Sequence, residues 1–231
     1  MANPFFEPLP ENGLPEFKRI LTSHYEAAFE RGFEEQNLEI EAITDNLQAP
    51  TFLNTIEAME RSGDLLERVG NVFWNLTSSY TSDQLQALEL KLSPRVAAHK
   101  SQIYSDPTLF KRVQAIMESD QTLDSEALQL LKEIHQSFVR AGAHLSESAR
   151  ERVNEITESL AGLTTQFGQN VMQDVNKFEL VVGGAEDISG LPDSVLNVAK
   201  SEAESRGKSG QYVFTISRSS ITPFLQYADS R

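Results

Sequence analysis

Apolar residues recur every three or four positions along most of this chain, and the pattern is most regular in residues 124–176. The longer of two stripes there comprises Ala149, Val153, Ile156, Leu160, Leu163, Phe167, Val171 and Val175. A shorter stripe before it comprises Ala127, Leu131, Ile134 and Phe138. Such spacing places each set on one face of an α-helix, and Asp124 or Ser125 can cap the helix of the shorter stripe. We expect a stripe as long as the second one to be covered by other helices of the chain.

Four further helices are predicted before this pair. The first three span about residues 22–47, 51–76 and 83–104, and the fourth begins at Pro107, with Asp106 as its N-cap. Pro94 lies inside the third pattern, where a kink or a short break is expected because proline removes one helical hydrogen bond. Four prolines in residues 1–16 predict an extended surface arm, which Phe5 and Phe6 can pin down.

The pattern changes after Asn176. Two short β candidates, residues 178–182 and 212–216, flank a helix that opens near Pro192 and closes at Gly207. The sequence therefore predicts a mostly α fold, a multi-helix bundle-like array with a small β-α-β appendage at the C-terminal end. We expect a helical lobe in residues 1–178 and a small α/β element in residues 179–231. Residues 223–231 start like a helix and stop without a cap, so we expect the natural polypeptide to continue.

Charge and composition narrow the possible partners. The 231 residues carry a formal net charge of −14, which repels phosphate backbones and anionic lipids, so neither nucleic acid nor a membrane is expected as a partner. The absence of cysteine excludes disulfides, cysteine-ligated zinc and a cysteine nucleophile. Neither a signal peptide nor a run of about 18 apolar residues is present, so we expect a cytoplasmic protein.

The residue types that usually carry catalysis are present without a catalytic arrangement. No two of the histidines His24, His99, His135 and His144 are spaced i, i+4, and none is followed by glutamate. A zinc site is usually announced by two ligands on one helical turn, so each histidine is interpreted as a packed or surface residue. Phe73 and Trp74 adjoin an apolar stripe and are interpreted as core residues.

Two groups of carboxylates also suggest solvated helix faces. They are Glu34, Glu35, Glu39 and Glu41, and then Glu147, Glu151, Glu155 and Glu158. An outward face lacks the burial that separates the pKa values of an acid/base pair. Neither a Gly-x-Ser-x-Gly nor a Gly-x-x-x-x-Gly-Lys motif occurs. No catalytic, cofactor-binding or metal-binding residue is therefore assigned in this chain.

Several segments, in their order and spacing, resemble the N-terminal part of the M3 family of zinc oligopeptidases, and within it the bacterial peptidyl-dipeptidases. The most specific segment is residues 134–145, Ile-His-Gln-Ser-Phe-Val-Arg-Ala-Gly-Ala-His-Leu. The other segments are residues 14–17, 24–29, 51–56, 62–63, 66–69, 103–104, 109–113, 189–192 and 227–231, with Leu160, Leu163, Thr164, Phe167 and Asn170.

The resemblance implies a predominantly helical enzyme with two lobes around a deep cleft, whose zinc ion is held by a His-Glu-x-x-His helix in the C-terminal half. That motif is absent here, since no His-Glu pair occurs in the sequence. The chain is then the non-catalytic front part of a peptidase that releases dipeptides from peptide C-termini. Its role would be to help wall the substrate cleft, and the zinc ion would lie in the missing catalytic domain.

The resemblance also implies partners and leaves alternatives. The expected partners are short peptide substrates, through the full-length enzyme, and the chain's own catalytic domain. An alternative is a stand-alone helical module, derived from that fold, that binds peptides or a protein. A third possibility is a relative with endopeptidase rather than dipeptidase specificity.

Overall fold

The computed structural model describes residues 2–11 and 13–229, and most of these residues are helical. The α-helices are α1 (Thr22–Thr44), α2 (Ala58–Glu60), α3 (Asp64–Ser79), α4 (Asp83–Tyr104), α5 (Pro107–Met117), α6 (Ser125–Arg140), α7 (Glu147–Lys177), α8 (Asp193–Ser205) and α9 (Arg218–Tyr227). The strands are β1 (Leu180–Val182) and β2 (Tyr212–Phe214). The mostly helical fold class is confirmed. Two compact units are present, Met1–Thr165 and Gln166–Arg231, and their boundary falls inside α7.

The first unit holds two hydrophobic cores. One joins the arm to the first half of α1, α3 and the first half of α4, and its centre is a set of edge-on aromatic rings. The ring of Phe73 lies 5.0 Å from Tyr25 and 5.5 Å from Phe29, between centroids. Phe5 is buried in this core and so anchors the arm, whereas Phe6 is partly exposed. Burial of these rings is the main source of stability in this half of the unit.

The second core joins the end of α1 to residues 52–59, the end of α4, α5 and α6. Its buried residues include Ile56, Leu109, Val113, Leu131 and Phe138. Two predicted caps hold the helices that build it. The Asp106 carboxylate accepts the N–H groups of Thr108 and Leu109 at 2.7 Å each, and Asp124 accepts that of Ala127 at 2.8 Å. These bonds satisfy first-turn donors and fix where α5 and α6 begin.

The single helix expected over residues 51–76 is instead three segments. Residues Phe52–Glu57 form a π-helical turn, α2 is one short turn, and α3 starts after Gly63. Gly63 has φ +81°, a conformation that glycine adopts readily and that ends the preceding turn. Periodicity alone could not detect this break, because Met59, Gly63 and Leu66 keep helical spacing across it.

No break occurs at Pro94, because α4 runs from Asp83 to Tyr104 with this proline inside it. Leu92 and His99, on either side of the proline, are both buried in the first unit. Proline costs the helix one backbone hydrogen bond. Burial of neighbouring turns offsets that cost, so the helix continues.

The expectation that other helices cover the apolar stripe of α7 is wrong for the described residues. Six stripe residues are between 39% and 69% exposed, namely Ile156, Leu160, Leu163, Phe167, Val171 and Val175. Instead, α7 contacts α4 from its other side. Ser101 donates a hydrogen bond to Asn154 Oδ1 at 2.6 Å, and a Cβ built at Gly162 would lie 3.6 Å from the Pro94 ring. Asn154 and Gly162 lie opposite the apolar stripe, so these contacts leave the stripe exposed.

The second unit contains a small antiparallel sheet packed on α8 and α9. β1 pairs with β2 so that Leu180 faces Phe214 and Val182 faces Tyr212. Phe214 is buried against Phe224 of α9, with ring centroids 4.5 Å apart. The expected β-α-β order of elements is present along the chain, but the strands are antiparallel, so the sheet is not a parallel β-α-β unit. Of the resembling segment 227–231, Ser230 and Arg231 lie outside the described residues.

Candidate functional site

The four histidines are dispersed through the first unit, and two of them are hydrogen-bonded to glutamine. His99 in α4 is buried, and its Nε2–H donates to Gln36 Oε1 at 2.7 Å. Its ring lies 4.8 Å from that of Phe33, between centroids, and burial lowers the pKa of the imidazole. His135 in α6 donates to Gln114 Oε1 at 2.6 Å in the same way. Both side chains therefore connect neighbouring helices.

The other two histidines lie at helix starts or in a turn. The Nδ1 atom of His24 accepts the N–H of Leu21 at 3.1 Å and so caps the first turn of α1. His144 is exposed in the turn between α6 and α7. No group of three histidine, aspartate or glutamate side chains in residues 2–11 and 13–229 is arranged to hold a metal ion. The donor set that a zinc site needs is not brought together here.

The two groups of carboxylates lie on helix surfaces. Glu147, Glu151, Glu155 and Glu158 are all exposed, and Glu155 pairs with Arg152 at 2.8 Å. In α1, Glu39 is exposed and accepts the N–H of Gly63 at 2.7 Å, which ties it to the start of α3. The second group therefore lies on a solvated face of α7, and Glu39 contributes a hydrogen bond to the start of α3.

The aromatic pair at Phe73 and Trp74 belongs to the packing of the first core. Phe73 is fully buried, and Trp74 is half-buried with its ring centroid 4.7 Å from that of Phe73. Trp74 also lies edge-on to Phe29 at 6.3 Å. The pair is therefore part of the core.

A cavity of about 400 Å³ lies between the N-terminal arm and α3. Its lining is rich in proline and includes Pro8 from the arm and Asn71 from α3. The carboxylates of Glu7 and Glu16 in the lining both pair with Arg19. No imidazole contributes to the described lining. The cavity therefore combines apolar walls with two carboxylates that are paired with arginine.

Sequence reasoning missed a buried cation, Arg112 of α5. Its guanidinium donates to Asn46 O at 2.8 Å, Gln48 O at 3.4 Å, Asn54 Oδ1 at 3.1 Å and Thr55 Oγ1 at 3.3 Å. Burial lowers the pKa of this group. The sequence does contain an indication that Arg112 is buried, because this residue falls on the apolar stripe made by Leu109, Val113 and Ile116. Its acceptors belong to residues 46–55, so the arginine holds the connection between α1 and the π-helical turn.

No helix among the described residues has both the length and the apolar composition needed to span a lipid bilayer. The exposed stripe of α7 is the largest departure of the structure from the sequence-based expectation.

Known proteins similar to this chain are peptidases. The chain is 36% identical over 213 residues to the dipeptidyl carboxypeptidase of Salmonella typhimurium, and the match covers 91% of this chain and 31% of that protein. The dipeptidyl carboxypeptidase of Escherichia coli K12 is 34% identical with the same coverage. An oligopeptidase A of Haemophilus influenzae is 28% identical over 235 residues, which are 100% of this chain and 34% of that protein.

The chain spans about a third of the length of these curated relatives. No protein-family model matches it. The similarity nevertheless runs over nearly the whole chain, in two differently named groups of peptidases. The chain belongs to the M3 family of peptidases, and its sequence corresponds to an N-terminal part of such a peptidase.

Proposed function

We propose that this chain is the non-catalytic N-terminal region of a zinc metallopeptidase that releases dipeptides from the C-terminal ends of peptides. The observation that carries the proposal is the 36% identity over 91% of the chain to a dipeptidyl carboxypeptidase of which the match covers only 31%. The sequence has no His-Glu pair and hence no His-Glu-x-x-His motif. The chemistry would therefore reside in the remaining part of the polypeptide.

Among residues 2–11 and 13–229, no three histidine, aspartate or glutamate side chains are arranged to hold a zinc ion. His99 and His135 each donate a hydrogen bond to a glutamine on a neighbouring helix, and His24 caps α1. A catalytic zinc site requires three protein ligands that converge on one point and leave one position open. We place the zinc ion, the general base and the groups that stabilise the transition state in the part of the enzyme outside this sequence.

The role proposed for this chain is to help form the wall of the substrate cleft. Its first unit has two hydrophobic cores and capped helices, which favour a rigid body that keeps its shape when peptides bind. A rigid wall allows only short, unfolded peptides to enter the cleft, and it contributes no reacting group. Peptide substrates and the catalytic domain would be its partners in the whole enzyme, and a cytoplasmic location stays a prediction.

Comparing this 231-residue chain with the product of the complete reading frame tests the proposal. A peptide with a free C-terminus is incubated with each protein, and released dipeptides are measured by chromatography with and without a metal chelator. We expect chelator-sensitive release by the longer protein alone, with about one zinc ion per molecule found by elemental analysis. Stoichiometric zinc and chelator-sensitive release in the 231-residue chain would refute the assignment of a non-catalytic role.

A second candidate function is a stand-alone helical module that binds peptides or a protein. The exposed apolar stripe of α7 favours it, since such a face on a folded helix marks an interaction surface. A reading frame that stops after Arg231, with a monodisperse folded product, would support this candidate. Peptidase activity in a longer natural product would count against it.

A further inference from the structure

The outward side of α7 is apolar along most of the helix. In the first unit it presents Ile156, Leu160 and Leu163, of which Leu163 is 62% exposed. Phe167 and Val171, on the part of α7 that belongs to the second unit, are exposed as well. Apolar surface of this kind is uncommon on soluble proteins unless another surface covers it. We call the three residues of the first unit, Ile156, Leu160 and Leu163, the α7 seam.

Two of the seam residues, Leu160 and Leu163, lie in a segment without charges. Residues 159–173 contain no aspartate, glutamate, lysine or arginine, although 23% of the whole chain is charged. A helix side that faces water normally carries charged residues, whereas the centre of a protein interface is depleted of them. Composition and exposure therefore indicate, independently, that the seam is covered in the functional protein.

The spacing of the seam indicates the shape of what covers it. From Ile156 to Leu160 and Leu163 the steps are four and three residues. This spacing forms a narrow stripe that suits a second α-helix packed alongside, with side chains of one helix between those of the other. The contacts of α7 with α4 are made at Asn154 and Gly162, on the opposite side of the helix. These contacts leave the seam uncovered.

We propose that the α7 seam is the docking surface for an α-helix from the part of the same polypeptide that follows Arg231 in the longer protein. This inference rests on the proposed function, which requires such a part. The matching relatives extend to about three times the length of this chain, so enough polypeptide exists to supply the helix. A segment joined covalently is present at high effective concentration. A second copy is disfavoured by the repulsion between two chains of net charge −14.

Cysteine accessibility provides the test, because the chain has no cysteine of its own. Leu163→Cys reports on the seam, and Leu38→Cys in α1 is its matched control, since the two leucines are 62% and 64% exposed. Each variant is made in the 231-residue chain and in the product of the complete reading frame. The rate of maleimide labelling at the introduced cysteine is then read by peptide mass spectrometry, which separates it from any cysteine elsewhere.

We expect the two cysteines to react at similar rates in the 231-residue chain. In the longer protein, labelling at Leu163→Cys should be at least ten times slower, while labelling at Leu38→Cys stays within about twofold, since only the seam is covered. Leu160→Cys, on the same seam, serves as a second reporter if the first variant folds poorly. Protection at either seam position with an unchanged control supports the docking surface.

Three results would overturn the proposal. The first is equal labelling at Leu163→Cys in the short and long proteins. The second is protection in the 231-residue chain that rises with its concentration, which would assign the seam to a second copy. The third is an equal slowing at Leu163→Cys and Leu38→Cys. Protection of the seam in a longer protein without chelator-sensitive peptidase activity would support the docking surface and refute the proposed function. Chelator-sensitive activity in a longer protein whose seam is not protected would support the proposed function and refute the docking surface.

Discussion

At the residue scale, Arg112 shows how one side chain can hold a connection that has little apolar content of its own. Its guanidinium binds two backbone carbonyl oxygens and two side-chain oxygens between Asn46 and Thr55. All four acceptors are carbonyl, amide or hydroxyl oxygens, so their dipoles stabilise the charge. Removing the guanidinium would leave the buried Thr55 Oγ1 and three partly buried oxygens without this donor, which is more costly than the loss of an exposed ion pair.

Replacing Arg112 by methionine should therefore lower the free energy of unfolding by about 2 to 4 kcal/mol, because methionine keeps the length of the side chain but donates no hydrogen bond. Lys111→Met is the matched control, since Lys111 is the exposed neighbour in the same helix, and its effect should be near zero. Urea unfolding followed by the fluorescence of Trp74, the single tryptophan, measures both. Equal losses in the two variants would show that the guanidinium contacts contribute little.

His99 makes the stability of the first unit depend on pH. Burial lowers the pKa of its imidazole in the folded chain, whereas the unfolded chain has the ordinary value of about 6.5. The unfolded state therefore binds the proton more readily, and acidification favours it. The contribution of His99 to stability is complete above about pH 6.5 and is lost as the pH falls through the lowered pKa of the folded state.

His99→Gln should remove this part of the pH dependence, because glutamine does not titrate in this range. Unfolding free energies measured from pH 7.5 down to pH 5 should fall less steeply in the variant than in the parent chain. His144→Gln, at an exposed histidine, should leave the slope unchanged. If His99→Gln also left the slope unchanged, another group would have to carry the acid sensitivity.

At the element scale, the start of α3 depends on the conformation of Gly63. Its φ of +81° is strained for any residue with a Cβ, and a Cβ there would clash with Gln36 Nε2. Gln36 is the same residue that accepts the hydrogen bond of His99. The turn before α3 and the contact between α1 and α4 are therefore connected through one side chain.

Two glycine substitutions in the first unit should have opposite effects. Gly63→Ala should destabilise the unit by about 1 to 3 kcal/mol through backbone strain and displacement of Gln36. Gly162→Ala should stabilise it by about 0.5 to 1 kcal/mol, since alanine favours the helix and its Cβ would lie 3.6 Å from Pro94, an ordinary contact. Urea unfolding followed by Trp74 fluorescence compares the two. A stabilising Gly63→Ala would show that the turn tolerates another conformation.

The caps of α5 and α6 have a local cause, whereas the continuity of α4 has a tertiary one. Asp106 and Asp124 cap helices as the sequence predicts, because a cap depends on one side chain and the next few backbone N–H groups. The course of α4 past Pro94 could not be predicted in this way, since it depends on burial of side chains by helices distant in sequence. Helix caps can therefore be predicted from the sequence, whereas packing that offsets the hydrogen bond lost at a proline cannot.

At the scale of the whole molecule, a strongly acidic composition is combined with an exposed apolar stripe on α7. The net charge of −14 keeps the chain away from polyanions, and the absence of nucleic acid and membrane partners stays a prediction from that charge. The largest apolar stripe is nevertheless left outward on α7. In a chain that spans about a third of its relatives, an uncovered face of this kind fits a surface completed by the rest of the polypeptide.

The sequence by itself determined the mostly helical class, the places where α5 and α6 begin and the membership in the M3 family. These follow from local spacing, caps and residue identity along the chain. Only the tertiary structure decided which side of α7 contacts α4, that Arg112 binds the oxygens of residues 46–55 and that the two strands pair antiparallel. Periodicity defines the two sides of a helix but not its neighbours, and here the side that carries Asn154 contacts α4. The apolar side was thereby left for a partner that this sequence does not contain.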